Sequence, residues 1–151
     1  MKLITLFIAM VFASSFSNTP GKTWLTNFEQ AKLEASQAKK YILLNFSGSD
    51  WCMPCIRLKA EIFSSESFAA FAGDNLILAN ADFPRLKKNQ LEKNQLQHNE
   101  VLAEKYNPHG KFPLTILLDS SGTVIRQWEG VPQKSPELFV DEIKKLLNAD
   151  N

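Results

Sequence analysis

The chain has 151 residues, a length that suits one domain with a real core and is short for two. A hydrophobic fraction of 44% with eleven Phe excludes a disordered chain. A formal charge of +1 offers no electrostatic basis for nucleic acid or an anionic membrane as a partner.

Met1-Lys2 opens the chain with a positive charge, Leu3 to Ala13 is almost wholly apolar, and small residues follow in Ala13-Ser14-Ser15-Phe16-Ser17-Asn18. That order predicts a secretory signal peptide over residues 1–17, cleaved after Ser17, and a mature domain over 18–151. A membrane anchor needs about 20 apolar residues, and this run is much shorter. No Cys lies near the exit, which argues against a lipid-modified terminus. Without Lys2, sixteen basic and sixteen acidic residues remain, so the mature domain is formally neutral.

Thr26-Asn27-Phe28-Glu29 has the spacing of a capping box, with Thr26 as N-cap. Phe28, Ala31, Ala35 and Ala38 recur at helical spacing and predict a helix that ends near Lys39-Lys40. Tyr41 to Phe46 is a nearly continuous apolar run, as in a central strand covered on both faces. Ser47 to Asp50 reads as a turn, and Trp51-Cys52-Met53-Pro54-Cys55 follows at once. Cys55 to Phe63 favours helix, with Leu58, Ile62 and Phe63 on one side, and a further helix covers Ser67 to Ala72 after an interruption at Ser64-Ser65. Leu76 to Ala81 is a second buried strand. Asp82 to Gly110 is long and polar, with Val101 to Tyr106 its clearest helical part. Leu114 to Leu118 and Thr123 to Trp128 form a hairpin around Asp119-Ser120-Ser121-Gly122. Ser135-Pro136 starts a last helix with Phe139, Ile143, Leu146 and Leu147 on one face. The element order fits an α/β fold, a central mixed sheet with helices on both faces.

The two cysteines, Cys52 and Cys55, are three apart. A disulfide between them closes almost no loop and restricts the unfolded chain very little, so its value is chemical or metal-related. A strand before and a helix after place Cys52 at a helix N-terminus, where free backbone N–H groups and the helix dipole stabilise a thiolate. The thiolate is the attacking species, and such a setting lowers a Cys pKa below its free value of about 8.5. Cys55, one turn on and deeper, is placed to attack a mixed disulfide formed at Cys52. Pro54 falls in the first turn, where its missing N–H costs little. Zinc would need two further ligands, and His98 and His109 are eleven apart, unlike the usual short spacing.

These residues resemble the thioredoxin superfamily, specifically small exported bacterial thioredoxin-like proteins. Asn45-Phe46 ends a strand, Trp51-Cys52-Met53-Pro54-Cys55 opens a helix, Lys111-Phe112-Pro113-Leu114-Thr115 precedes the hairpin, and Gly130 follows the last strand. The resemblance covers residues 22–148 and implies a thioredoxin fold, with Cys52 and Cys55 as a redox couple. It implies a cis Phe112–Pro113 bond beside the pair, and a substrate segment pairing with the backbone at Phe112 and contacting Trp51, Met53, Pro54 and Pro113. The family often has a buried Asp at the end of the central strand and a Lys on the neighbouring strand. The matching positions here are read as Asn45 and Leu78. Arg85, Lys87, Lys88 and Lys93 make the long segment locally basic, which reads as a solvated face, with partner docking as the alternative.

Pro before the second Cys resembles reductants, whereas strong oxidants commonly carry His there. The expected activity is therefore thiol–disulfide exchange as a reductant or isomerase of exported cysteine-containing proteins, recharged by a membrane-embedded electron donor. The expected site is periplasmic or secreted, the expected state a monomer, and no metal, other cofactor or nucleic acid is called for. A redox-silent binding module, a chaperone or a metal-delivery protein with Met53 as third soft ligand, is the alternative.

Overall fold

The computed structural model describes residues 23–150; the signal peptide expected over 1–17 and its cleavage point lie outside them. The elements are α1 (Phe28–Ala38), β1 (Tyr41–Ser47), α2 (Met53–Leu58), α3 (Glu66–Asn75), β2 (Leu76–Asp82), α4 (Lys93–Tyr106), β3 (Leu114–Leu118), β4 (Val124–Glu129) and α5 (Pro136–Asp150). The strands lie in the order β2-β1-β3-β4. β1 pairs parallel with β2 and antiparallel with β3, and β3 pairs antiparallel with β4. This is the mixed sheet the element order implied, in a thioredoxin fold.

β1 is buried from Ile42 through Ser47 because it has strands on both sides and helices on both faces. Ile42, Leu44 and Phe46 join Phe28, Ala31 and Ala35 of α1 and Leu102 and Tyr106 of α4 on one face. Leu43, with Leu78 and Leu117, joins Leu58, Ile62, Phe68, Phe139 and Ile143 on the other. Each such side chain taken fully from water contributes about 1.5–3 kcal/mol, so β1 stabilises both layers, with three side chains on the α1 face and Leu43 on the other.

Three expected details differ. The N-cap of α1 is Asn27, not Thr26: its side chain accepts the Gln30 N–H at 3.1 Å. Asn caps better than Thr, and it leaves the helix one residue shorter at its start. Ala38 is exposed, because the helix ends there and Lys39 takes the left-handed conformation at φ 53°. The helix after the cysteines begins at Met53 and widens into a π-helical turn over Lys59–Phe63. That turn buries the adjacent Ile62 and Phe63 together, which a regular helix face would separate by about 100°.

The hairpin turn is as expected: Gly122 has φ 92°, and a Cβ there would stand 2.8 Å from Tyr106 Oη. Tyr106 Oη in turn donates to the Gly122 carbonyl at 2.8 Å, tying α4 to the turn. The long polar segment is ordered more fully than its composition implied, since α4 starts at Lys93 and buries Asn99, Leu102 and Tyr106.

Candidate active site

β1 ends at Ser47, and the chain turns at once into α2. Trp51 and Cys52 both donate backbone N–H groups to the Gly48 carbonyl, at 3.3 and 2.9 Å. Gly48 has to be bare: a Cβ there would lie 2.3 Å from the Trp51 ring. Cys52 is the N-cap of α2, with its sulfur accepting the Cys55 N–H at 3.3 Å, and Pro54 sits in the first turn. Cys52 and Cys55 form a disulfide with Cα atoms 5.2 Å apart.

The two cysteines are almost equally covered, at 4% and 5% exposure, so Cys55 is not the deeper of the two as expected. What separates them is position. Cys52 caps the free N–H groups of α2, whereas Cys55 lies within the helix and opens onto a cleft beneath it. The helix end is the place where sulfur charge is stabilised, and it belongs to Cys52.

Trp51 forms a fixed wall beside Cys52. Its indole N–H donates to the Phe83 carbonyl at 2.7 Å, and the Arg85 guanidinium lies 3.6 Å from its ring centroid. Phe112 meets the same ring edge-on at 5.5 Å and Phe83 at 5.6 Å. Asp50 holds the loop that supplies these partners, accepting from Arg85 N, Leu86 N and Asn89 Nδ2 at 2.9–3.0 Å. The Arg85 N–H foremost, with Asn89 and the Leu86 N–H, holds the Asp50 carboxyl below its ordinary range against a smaller effect of burial. Met53 at 64% and Ile56 at 41% exposure present an apolar rim around the pair, and Pro54 is exposed between them.

Opposite α2, the Phe112–Pro113 peptide is cis, as the resemblance implied. The loop leading to it is clamped by buried Asn107, whose side chain accepts the Lys111 N–H and donates to the Lys111 carbonyl, both at 2.8 Å. Gly130, at φ 73°, donates its N–H to the Pro113 carbonyl at 2.9 Å. Asn107 went unnoticed in the sequence because an Asn before Pro108 reads as an ordinary turn residue.

The floor is a polar ladder on the α2 side of the sheet. Register pairs Asn45 with Asn80 on β2 and with Thr115 on β3, and pairs Ser47 with Asp82. Asn45 Nδ2 donates to Asn80 Oδ1 at 2.9 Å, and Thr115 Oγ1 donates to Asn45 Oδ1 at 3.2 Å. The neighbour of Asn45 is thus Asn80, not Leu78: Leu78 pairs with Leu43 two residues back and belongs to the core. A cleft of about 330 Å³ runs above this floor, lined by Asn45, Ser47, Ser49, Cys55, Lys59 and Asn80 among others. His98 accepts the Phe28 N–H at the start of α1, on the other side of the sheet from the cysteines.

The Thioredoxin-like family description matches residues 23–120. The chain belongs to the thioredoxin-like family. It is 33% identical over 121 residues to a disulfide bond reductase, DsbH, of Chlamydia pneumoniae, across 80% of this chain and 70% of that protein. A solved DsbH oxidoreductase superposes with a TM-score of 0.74 at 28% identity, over 97% of this chain and 95% of that one. The chain is also 25% identical over 149 residues, 99% of its length, to a thioredoxin-related protein, DsbJ, of the same organism, of which it spans only 42%. With the Cys52–Cys55 disulfide, these relationships make this thioredoxin-like chain a redox-active thiol–disulfide oxidoreductase and set aside a silent binding module.

Proposed function

We propose that this protein is a disulfide reductant of exported proteins, with Cys52 as the attacking sulfur and Cys55 as the resolving one. The observation that carries the reading is Cys52 at the N-cap of α2, bonded to Cys55 next to a cleft, in a chain similar along most of its length to a disulfide bond reductase. As a thiolate, Cys52 attacks a substrate disulfide, forms a mixed disulfide and expels one substrate thiolate. Cys55 then attacks Cys52, releases the second substrate thiol and leaves the disulfide of the present structure.

Trp51, Met53, Pro54, Phe112 and Pro113 form the contact surface in this reading. The wall of Trp51 and Phe112 borders the pair on one side and the exposed Met53 and Pro54 lie on its rim, so an extended segment of the partner lies across them and pairs with the backbone at Phe112. Pro at the third position of the Cys-x-x-Cys motif, in place of His, favours a reductant over an oxidant. A reductant turns over only if resupplied, so a membrane-embedded electron donor is part of the proposal. So is cleavage of residues 1–17, delivery of the domain 18–151 to the periplasm or beyond, and action as a monomer. The charge, apolar run and small residues at the start of the chain support export.

The deciding experiment is the equilibrium potential of the Cys52–Cys55 couple in dithiothreitol and glutathione buffers. A value near the thioredoxin end, about −270 mV, supports a reductant, and one near −120 mV makes the protein an oxidant. In the same assay Cys52→Ser abolishes exchange, while Cys55→Ser accumulates mixed disulfides that survive non-reducing electrophoresis. Equal, partial losses in both variants would overturn the order of attack.

A further inference from the structure

Resolution of a mixed disulfide needs somewhere for the Cys55 proton to go, and Asn45, a β1 residue that lines the cleft with Cys55, is an amide. Asn cannot take up a proton as a carboxylate does. We propose that Asp82 does so instead, as a positioning residue that draws the proton from Cys55 through the hydroxyls of Ser47 and Ser49. This rests on the assignment of Cys55 as the resolving sulfur.

The hydrogen bonds of the floor connect Thr115 to Asp82. Thr115 Oγ1 donates to Asn45 Oδ1 at 3.2 Å, Asn45 Nδ2 to Asn80 Oδ1 at 2.9 Å, and Asn80 Nδ2 to Ser47 Oγ at 3.1 Å. The Ser47 hydroxyl has one proton and two acceptors within reach, Asp82 Oδ1 at 3.0 Å and Asn80 Oδ1 at 3.1 Å. Asn80 Oδ1 already accepts from Asn45, and the Asp82 carboxylate is the stronger acceptor. Ser49 adds its backbone N–H to the same oxygen at 2.9 Å and its hydroxyl to Asp82 Oδ2. The asparagines are donors and acceptors that keep their protons, so they fix geometry. Of the hydroxyls, those of Ser47 and Ser49 are bonded to Asp82 and can accept a proton and pass one on, whereas Thr115 is bonded to Asn45.

Those two serines line the same cleft as Cys55. Its volume of about 330 Å³ accommodates several waters, each of which needs about 30 Å³. Among the described residues, Asp82 supplies the carboxylate hydrogen-bonded to cleft-lining side chains. The other charged groups around it are Lys59 in the cleft wall, Asp50 beside Ser49, and Arg85 stacked on Trp51, while α4 contributes the neutral Asn99, which donates to the Asp82 carbonyl. Asp50 is committed to the loop through both oxygens, and Lys59 lines the cleft with Cys55.

The step balances as follows. Cys55 gives its proton to a cleft water, which protonates a serine hydroxyl as that hydroxyl protonates Asp82. The Cys55 thiolate attacks Cys52 Sγ, the Cys52–Cys55 bond forms, and the bond from Cys52 to the substrate sulfur breaks. The electron pair leaves on that sulfur, which takes a proton from solvent.

The test uses a dithiobis(nitrobenzoate) reagent with the reduced protein. Attack by Cys52 releases one coloured thiolate in a first phase, and resolution by Cys55 releases the second. Asp82→Asn is expected to slow the second phase at neutral pH by at least about tenfold and move its pH profile upward, while the first phase stays within about twofold. Ser47→Ala with Ser49→Ala has the same signature. Asn45→Asp, placed in the Asp82→Asn background, restores the second phase by returning a carboxylate to the floor. An unchanged second phase in Asp82→Asn, or an equal loss of both phases with no rescue, overturns the inference. A wild-type protein that releases no second thiolate would instead overturn the pairing of Cys52 with Cys55 on which it stands.

Discussion

One face of the sheet is built in two halves that meet on β1. Toward the start of the strand, Leu43 pairs with Leu78 and Leu117, and all three are in the core. Two residues on, Asn45 pairs with Asn80 and Thr115, and two further on Ser47 pairs with Asp82. Backbone geometry is the same in both halves, and the same α2 side of the sheet is faced. Only side-chain chemistry changes, from apolar packing to a chain of hydrogen bonds. The half far from the cysteines supplies stability, and the half beneath them gives some of it up to keep polar groups against Cys55.

Two substitutions separate these contributions, and two more test the loops beside them. Leu43→Ala, in the apolar half, removes a side chain with no exposure and is expected to cost about 2–5 kcal/mol in urea unfolding. Exchange per folded molecule stays unchanged; a matching loss of exchange would mean that the halves are not separable. Asn45→Leu extends the apolar half by one pair. It leaves the Thr115 hydroxyl without its acceptor and removes one of the Asn80 bonds, while Asn80 keeps Ser47, and is expected to cost about 1–3 kcal/mol, less than the loss at Leu43. If the unfolding midpoint rises instead, an apolar floor is the more stable choice and the polar one is kept for chemistry alone.

Asn107→Ala removes both bonds to Lys111 and is expected to cost about 1–2 kcal/mol, with KM for a peptide disulfide rising more than kcat falls. The reverse split would show that this loop positions the sulfurs rather than the partner. The smallest global effect belongs to Asp50. Its carboxyl is depressed in the folded state, so its contribution is present above the unfolded pKa of about 3.9 and is lost as pH falls through the folded value. Below about pH 4, or in Asp50→Ala at neutral pH, the Arg85 and Leu86 amides exchange with solvent faster while the unfolding midpoint barely moves. A large shift in the midpoint would make this loop part of the core.

Much of the fold was legible in the sequence because its signals are local. The continuous apolar run of β1, the Gly122 turn and the Ser135-Pro136 start of α5 each state their structure within a few residues. The cysteines were legible for the same reason, since Trp51 to Cys55 carries its own turn, cap and helix start. The floor was not. Whether Leu78 or Asn80 faces Asn45 depends on the parallel register of β1 and β2, set by packing across more than thirty residues and invisible in either strand alone. The Asp50 clamp is of the same kind, with partners thirty-five to thirty-nine positions away. Thr26 and Asn27 were a different problem. Both can cap a helix, Asn only somewhat better than Thr, and a one-residue choice between them turns on backbone angles as well as on residue type.

Trp51, gripped by Gly48 below, Phe83 at its nitrogen, Arg85 over one face and Phe112 at its edge, has one orientation before any partner arrives. Immobilising a large side chain during association usually takes about 0.5–1.5 kcal/mol from the affinity. Here that ordering is already complete in the free protein, so a weak and transient encounter loses nothing to it. An oxidoreductase that must release each partner promptly gains selectivity from a rigid wall without having to bind tightly.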